Sequence, residues 1–130
     1  MPIEFVSIES ENYFISKWTG TLTDSEMIES YKEFYEGPHW KPGMSELADV
    51  SEADFKLITS KGLSRLAKNV EALHEKHGVM MSKSAAYSPT SLQFGMARTY
   101  EAWSSESPEL VRVFTDIEEA RHWLLQDESE

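Results

Sequence analysis

The chain has 130 residues, 12 Lys and Arg against 23 Asp and Glu for a net charge of −11, and no cysteine. That length suits a single domain, one that buries about two thirds of its unfolded surface. Nucleic acid and anionic membranes are excluded as expected partners because no Lys/Arg cluster answers their phosphates. Disulfides, thiol chemistry and cysteine metal sites are excluded outright.

No run of eighteen apolar residues predicts a membrane span, so no stable membrane insertion is expected. The N-terminal MPIEFVSIES lacks the basic and apolar segments of a signal peptide, and a cytoplasmic location follows as the expectation.

In chain order, Ile3 to Ile8 has the apolar, partly alternating look of a strand. Glu9 to Asn12 is turn-forming. Tyr13 to Trp18 predicts a second strand, with Phe14, Ser16 and Trp18 on one side and Tyr13, Ile15 and Lys17 on the other. The short connection predicts a hairpin. Thr23 with Glu26 forms a capping box for the first helix, whose apolar face is Met27, Ile28, Tyr31, Phe34 and Tyr35. Gly37-Pro38 stops it. Trp40 follows in a loop between two prolines and is the aromatic least expected in the core.

Met44 to Val50 predicts a weak third strand, interrupted by Glu46 and Asp49, with Ser51 to Leu57 as a connection. Thr59 or Ser60 caps a long helix to about His77, with Leu63, Leu66, Val70 and Leu73 as its core stripe. Lys83 to Tyr87 predicts a fourth strand. Ser88 as N-cap, with Pro89 at the first helical position, opens a third helix whose stripe is Leu92, Met96, Tyr100 and Trp103. Leu110 to Phe114 predicts a fifth strand. A last helix starts from Thr115 or Asp116, with Glu119 completing a capping box and Ile117, Ala120, Trp123 and Leu124 as its apolar side.

The order ββαβαβαβα predicts an α/β fold with a mixed five-stranded sheet, a β-hairpin followed by parallel β-α units. One domain spans residues 1–125, and residues 126–130 form an acidic tail. With strands two to five in sequential order, right-handed crossovers put all four helices on one face. The opposite face then needs a cover, which points to a homodimer or a ligand.

Beyond the pattern, Phe94-Gly95-Met96-Ala97-Arg98-Thr99-Tyr100-Glu101, Val111-Arg112-Val113-Phe114 and Glu118-Glu119-Ala120-Arg121-His122-Trp123-Leu124 resemble the SpoIIAA-like, or STAS-like, domains, as do Leu22-Thr23 and Ala48-Asp49-Val50. The resemblance covers nearly the whole chain and extends to the fold shared with CRAL-TRIO lipid-binding domains. It implies a SpoIIAA-like fold and a regulatory or protein-interaction role. Regulatory members are phosphorylated within an Asp-Ser-Ser-Gly-Leu-Gly pattern at the start of the helix after the third strand. Here the stretch is Thr59-Ser60-Lys61-Gly62-Leu63-Ser64, where Lys61 takes the position that carries the phosphoryl group. Ser60 is the phosphorylation candidate, against the plainer reading of a helix cap.

The function expected is therefore a non-catalytic STAS-like regulatory or protein-interaction domain, working with another protein or with itself as a homodimer. The alternative is a binding or carrier domain for a small apolar or amphipathic, lipid-like ligand. In open α/β sheets ligands gather beyond the carboxyl ends of strands. That places Ser51, Ser88, Thr90 and Ser91 at a ligand or partner edge, where helix N-termini suit an anionic head group, and Trp40 joins them as the exposed aromatic. His74 and His77, with Glu71 a turn earlier, are weighed as metal ligands and read instead as a solvated helix end. Glu46 is weighed as a buried carboxylate with a raised pKa and read instead as a strand-mouth residue in water. No G-x-S-x-G elbow or Gly-rich phosphate loop occurs, and no catalytic residue, metal or cofactor is expected.

Overall fold

The computed structural model describes residues 2–126. Its elements are β1 (Ile3–Ile8), a 3-10 turn (Glu9–Glu11), β2 (Tyr13–Thr21), α1 (Asp24–Glu36), β3 (Ser45–Asp54), α2 (Ser60–Lys76), β4 (Ser82–Tyr87), α3 (Ser91–Trp103), β5 (Glu109–Phe114) and α4 (Ile117–Leu125). The sheet runs β1-β2-β3-β4-β5. Its first pair is antiparallel and the rest are parallel. The hairpin closes at Asn12, which takes the left-handed conformation (φ 56°) that Asn tolerates better than other side-chain-bearing residues.

Strand alternation sorts the chain into two faces. Phe14, Glu46, Ser84 and Val111 lie in one cross-strand row, and Val6, Ile15, Leu47, Ala85 and Arg112 lie in the next, pointing the other way. The first face carries α1, α2 and α3. Its core joins Phe14, Trp18 and Val50 to Tyr31, Leu66 and Val70. The second face carries α4, through Tyr13, Leu47, Ala85, Ala120 and Leu124.

All four helices on one face is thus a corrected expectation. Crossovers of one hand, all stepping the same way across the sheet, keep α1 to α3 together. Among the described residues α4 has no strand after it to form a crossover with, and it packs back across β3, β4 and β5. Among the described residues the second face stays open over the hairpin, where Val6, Glu4 and Lys17 are exposed, and along β5, where Leu110 and Arg112 are exposed.

Other local expectations shift for identifiable reasons. β3 continues past Val50 because the end of β2 pairs with it, Thr19 with Glu52 through Thr21 with Asp54, after a register shift beyond Lys17. Ser88 is not the cap of α3. Its N–H donates to Phe114 O at 2.8 Å, extending the β4–β5 ladder, and Thr90 caps the helix by accepting from Gln93 N–H. The buried side of α3 is therefore Gln93 and Ala97, flanked by Met96 and Tyr100, while Leu92 and Trp103 are 64% and 52% exposed.

Asp116 caps α4 through Glu118 N–H. The Thr23–Glu26 capping box forms as expected. Of the acidic tail, residues 127–130 lie outside the described residues.

Candidate functional site

Between the first face and its helices lies a cavity of about 50 Å³. Its floor is built from small side chains on three neighbouring strands, Ala48, Ser84 and Ala86 beside Val111, and its walls are aromatic and aliphatic: Trp18, Tyr31, Phe55, Leu66, Met96 and Tyr100. That volume holds a few small groups. It is well short of the roughly 300 Å³ at which drug-sized ligand sites begin.

Glu46 is the ionisable carboxylate in the lining, and it is 5% exposed. The strand-mouth reading of this residue is overturned. Glu46 shares its alternation with Ala48 and Val50 and faces the core, with Phe14 on one side in register and Ser84 on the other. Its Oε2 accepts from Ser16 Oγ at 2.6 Å and from the Tyr31 hydroxyl at 2.5 Å. Ser84 Oγ reaches Oε1 at 3.5 Å. Trp18 Nε1 donates to the Tyr31 oxygen at 3.2 Å, which orients the phenol. Burial pushes the Glu46 pKa up, and the bonds from Ser16, Tyr31 and Ser84 pull it partly back. Burial and the Glu46 charge together hold Tyr31 well above the ordinary phenol value, so it stays a donor.

A second carboxylate lies behind the wall. Glu109, 3% exposed, precedes the predicted fifth strand by one residue and sits in register with Ser82. Its Oε1 accepts from the Tyr100 hydroxyl at 2.9 Å, and Tyr100 lines the cavity. Burial first, then the charge of Glu46, raises Glu109 to about 8, against the lowering effect of the Tyr100 bond. Sequence reasoning missed this residue. The available signal was its period-two spacing with Val111 and Val113.

His74 is also buried. Its Nε2 lies 3.5 Å from Ser82 Oγ, and burial followed by the His77 charge keeps its pKa below the usual value. Its ring packs against Tyr35 and Trp40, and His77 packs on the other side of this group against Trp40. Among the described residues no three His, Cys, Asp or Glu side chains are grouped to hold a metal ion.

The residues singled out from the sequence fall in three places. Ser88, Thr90 and Ser91 follow the carboxyl end of β4, whereas Ser51 lies inside β3, three residues before its end. Ser51 gives both its N–H and its hydroxyl to Asp49 Oδ1, and its carbonyl accepts from Gln93 Nε2 at 3.0 Å. Ser88 is fully buried, while Thr90, the exposed cap of α3, and Ser91, its exposed first residue, face out. Trp40 does not join them. It is 6% exposed, precedes β3 at the opposite end of the strands, and meets Tyr35 edge-on at 4.9 Å. Its loop is exposed at Pro38, His39, Lys41 and Pro42, while the indole alone turns inward against Tyr35 of α1 and His74 of α2.

Ser60 is exposed on the first turn of α2, where its Oγ accepts from Trp103 Nε1 at 3.4 Å. The N-cap is Thr59, and Asp24 accepts from both the Thr59 N–H at 2.9 Å and its hydroxyl at 2.6 Å. A Cβ at Gly62 would run into that carboxylate. The positive end of α2 thus already holds an anion of the chain's own.

A solved structure decides the fold. An uncharacterized protein from the DUF3478 family with a SpoIIAA-like fold, from Shewanella loihica PV-4, is 22% identical, with the match covering 94% of this chain and 91% of that one at a TM-score of 0.55. The chain has a SpoIIAA-like fold. No family model and no curated protein matches it, and at this identity the likeness is one of fold. In this SpoIIAA-like domain no helix among the described residues is long and apolar enough to cross a membrane.

Proposed function

We propose that the chain is a non-catalytic binding domain and that the cavity over Glu46 takes a small, mainly apolar ligand bearing one polar group. The observation that carries this is a carboxylate buried in an apolar pocket and aimed by two short hydrogen bonds from Ser16 and Tyr31. Burying such a group costs several kcal/mol unless something answers its charge. A core built only for stability would carry a leucine or valine at that position. Small residues under the cavity, Ala48, Ser84 and Ala86, leave room that larger side chains would fill. Carboxylates whose proton affinity is raised by burial cluster at functional sites, and Glu46 and Glu109 are such a pair.

The regulatory, protein-contact reading has its own observation in support. Leu92 and Trp103 are exposed on one stripe of α3, and Trp103 reaches Ser60 at the start of α2. A ligand held under α3 and a partner held on its outer side are compatible uses of one domain.

The test is native mass spectrometry of gently purified protein, alongside Ala97→Leu, which fills the cavity from α3. A small molecule retained by the wild type and lost from the folded Ala97→Leu variant supports the reading. Wild type and variant that bind the same things, or nothing, contradict it.

A further inference from the structure

We propose that the ligand's polar group is cationic, an ammonium or protonated amine on a short apolar body. This rests on the reading of the cavity as a binding site and sharpens it to a chemical class.

Among the described residues, no Lys, Arg or His lines the cavity. An anionic group entering it would meet Glu46 with nothing in the lining to neutralise either charge. A cation meets the opposite situation. Oε2 of Glu46 is engaged by Ser16 and Tyr31, but Oε1 has only the 3.5 Å contact from Ser84, at the limit of a hydrogen bond. Oε1 is therefore the acceptor left for a ligand N–H, and a charge-assisted bond there is about twice as strong as a neutral one.

The walls fit the same class. Trp18, Tyr31, Phe55 and Tyr100 line the cavity, and aromatic faces attract a desolvated ammonium. Leu66, Met96 and Val111 accommodate a hydrocarbon portion. The 50 Å³ volume limits that portion to a few carbons. The carboxyl-edge helix N-termini, which would suit an anionic head group, are not part of this lining.

Three sets of probes separate the alternatives: short alkylammonium ions, alcohols of the same length, and carboxylates of the same length. Affinity is read by calorimetry and by the rise in melting temperature. The expected result is ammonium binding at least about tenfold tighter than the matched alcohol, a difference of about 1.4 kcal/mol, with no binding of the carboxylate. Glu46→Gln, which keeps the shape of the side chain, should erase that preference and leave weak alcohol binding in place.

Alcohols that bind as well as ammonium ions overturn the cationic class while leaving the cavity reading intact. Ammonium binding that survives both Glu46→Gln and Ala97→Leu, with circular dichroism unchanged, overturns it by placing the site elsewhere. Absence of binding by every probe at millimolar concentration overturns the cationic class, and the cavity reading is then judged by the retained species in the mass spectrum.

Discussion

The two faces of one sheet are built on opposite rules. On the face under α4, charge is answered within the chain. Lys83 Nζ donates to the carbonyls of Trp123 at 3.0 Å and Gln126 at 2.9 Å and lies 5.1 Å from the Trp123 ring centroid. The Arg112 guanidinium sits over Phe114 and Trp123. Leu47, Ala85, Ala120 and Leu124 close beneath them. On the face under α1, α2 and α3, two carboxylates are buried, hydroxyls are their partners, and a cavity lies beside one of them. The same strands supply both faces through alternation alone. Both faces pack a core, and the one under α1, α2 and α3 holds in addition a cavity and two buried carboxylates.

The sharpest way to break this comparison is to alter packing on each side. Leu124→Ala on the closed face should cost about 2–5 kcal/mol, because a fully packed site cannot collapse around the gap. Ala97→Leu on the cavity face adds volume, which in a filled core costs about 1–3 kcal/mol. Here it should cost less than about 1 kcal/mol, since the space exists. Urea titrations of the two variants give both numbers, and equal losses would erase the distinction.

Next in size is Tyr31→Phe. It removes a donor to Glu46 and the acceptor for Trp18 Nε1 inside the core, and a loss of about 1–3 kcal/mol follows. A loss below about 0.5 kcal/mol would mean that Glu46 is solvated after all. The same titration reads it.

Dependence on pH separates the faces again. Glu109 keeps its proton in the folded state up to about 8, whereas the unfolded chain releases it in the ordinary carboxylic range. The folded state then binds more protons through that window, so stability falls as pH rises toward about 8. Glu46, also raised, adds to the fall. His74 acts in the opposite sense, but only up to its ordinary value of 6.5, so the decline is cleanest above it. Glu109→Gln should flatten the slope, as followed by melting temperature against pH. A slope unchanged by the substitution would place its origin elsewhere.

The smallest effect is expected at the start of α2. Asp24→Asn weakens an anion at a helix N-terminus and should cost about 0.5–1 kcal/mol. If phosphorylation at Ser60 is disfavoured by that carboxylate, the same variant should accept phosphate there more readily in a kinase assay.

Much of the architecture was legible from the chain because local signals carried it. The hairpin, the Thr23 capping box and the β-α alternation each rest on residues close in sequence. The position of α4 was not, since the crossover rule that places helices applies only where another strand follows. Ser88 read as a cap because Ser-Pro opens helices, yet its N–H was claimed by Phe114, a partner no local pattern reveals.

The site was the least legible part. Glu46 showed itself as a carboxylate interrupting a strand, but what holds it inside, Ser16 and Tyr31, lies on two other elements. Tyr31 read as a core aromatic, which it also is. Trp40 misled for a related reason: the loop bracketed by prolines is exposed, but its indole turns inward against Tyr35 and His74, partners on two other elements.

One measurement tests the central claim most directly, because each face carries its own tryptophan. In a two-dimensional NMR titration with a short alkylammonium ion, the Trp18 indole N–H, bonded to Tyr31 beside Glu46, should shift with occupancy, while the Trp123 indole under α4 stays in place. A Trp123 signal that moves while Trp18 is still would contradict the account, as would no movement of Trp18 at saturating concentration.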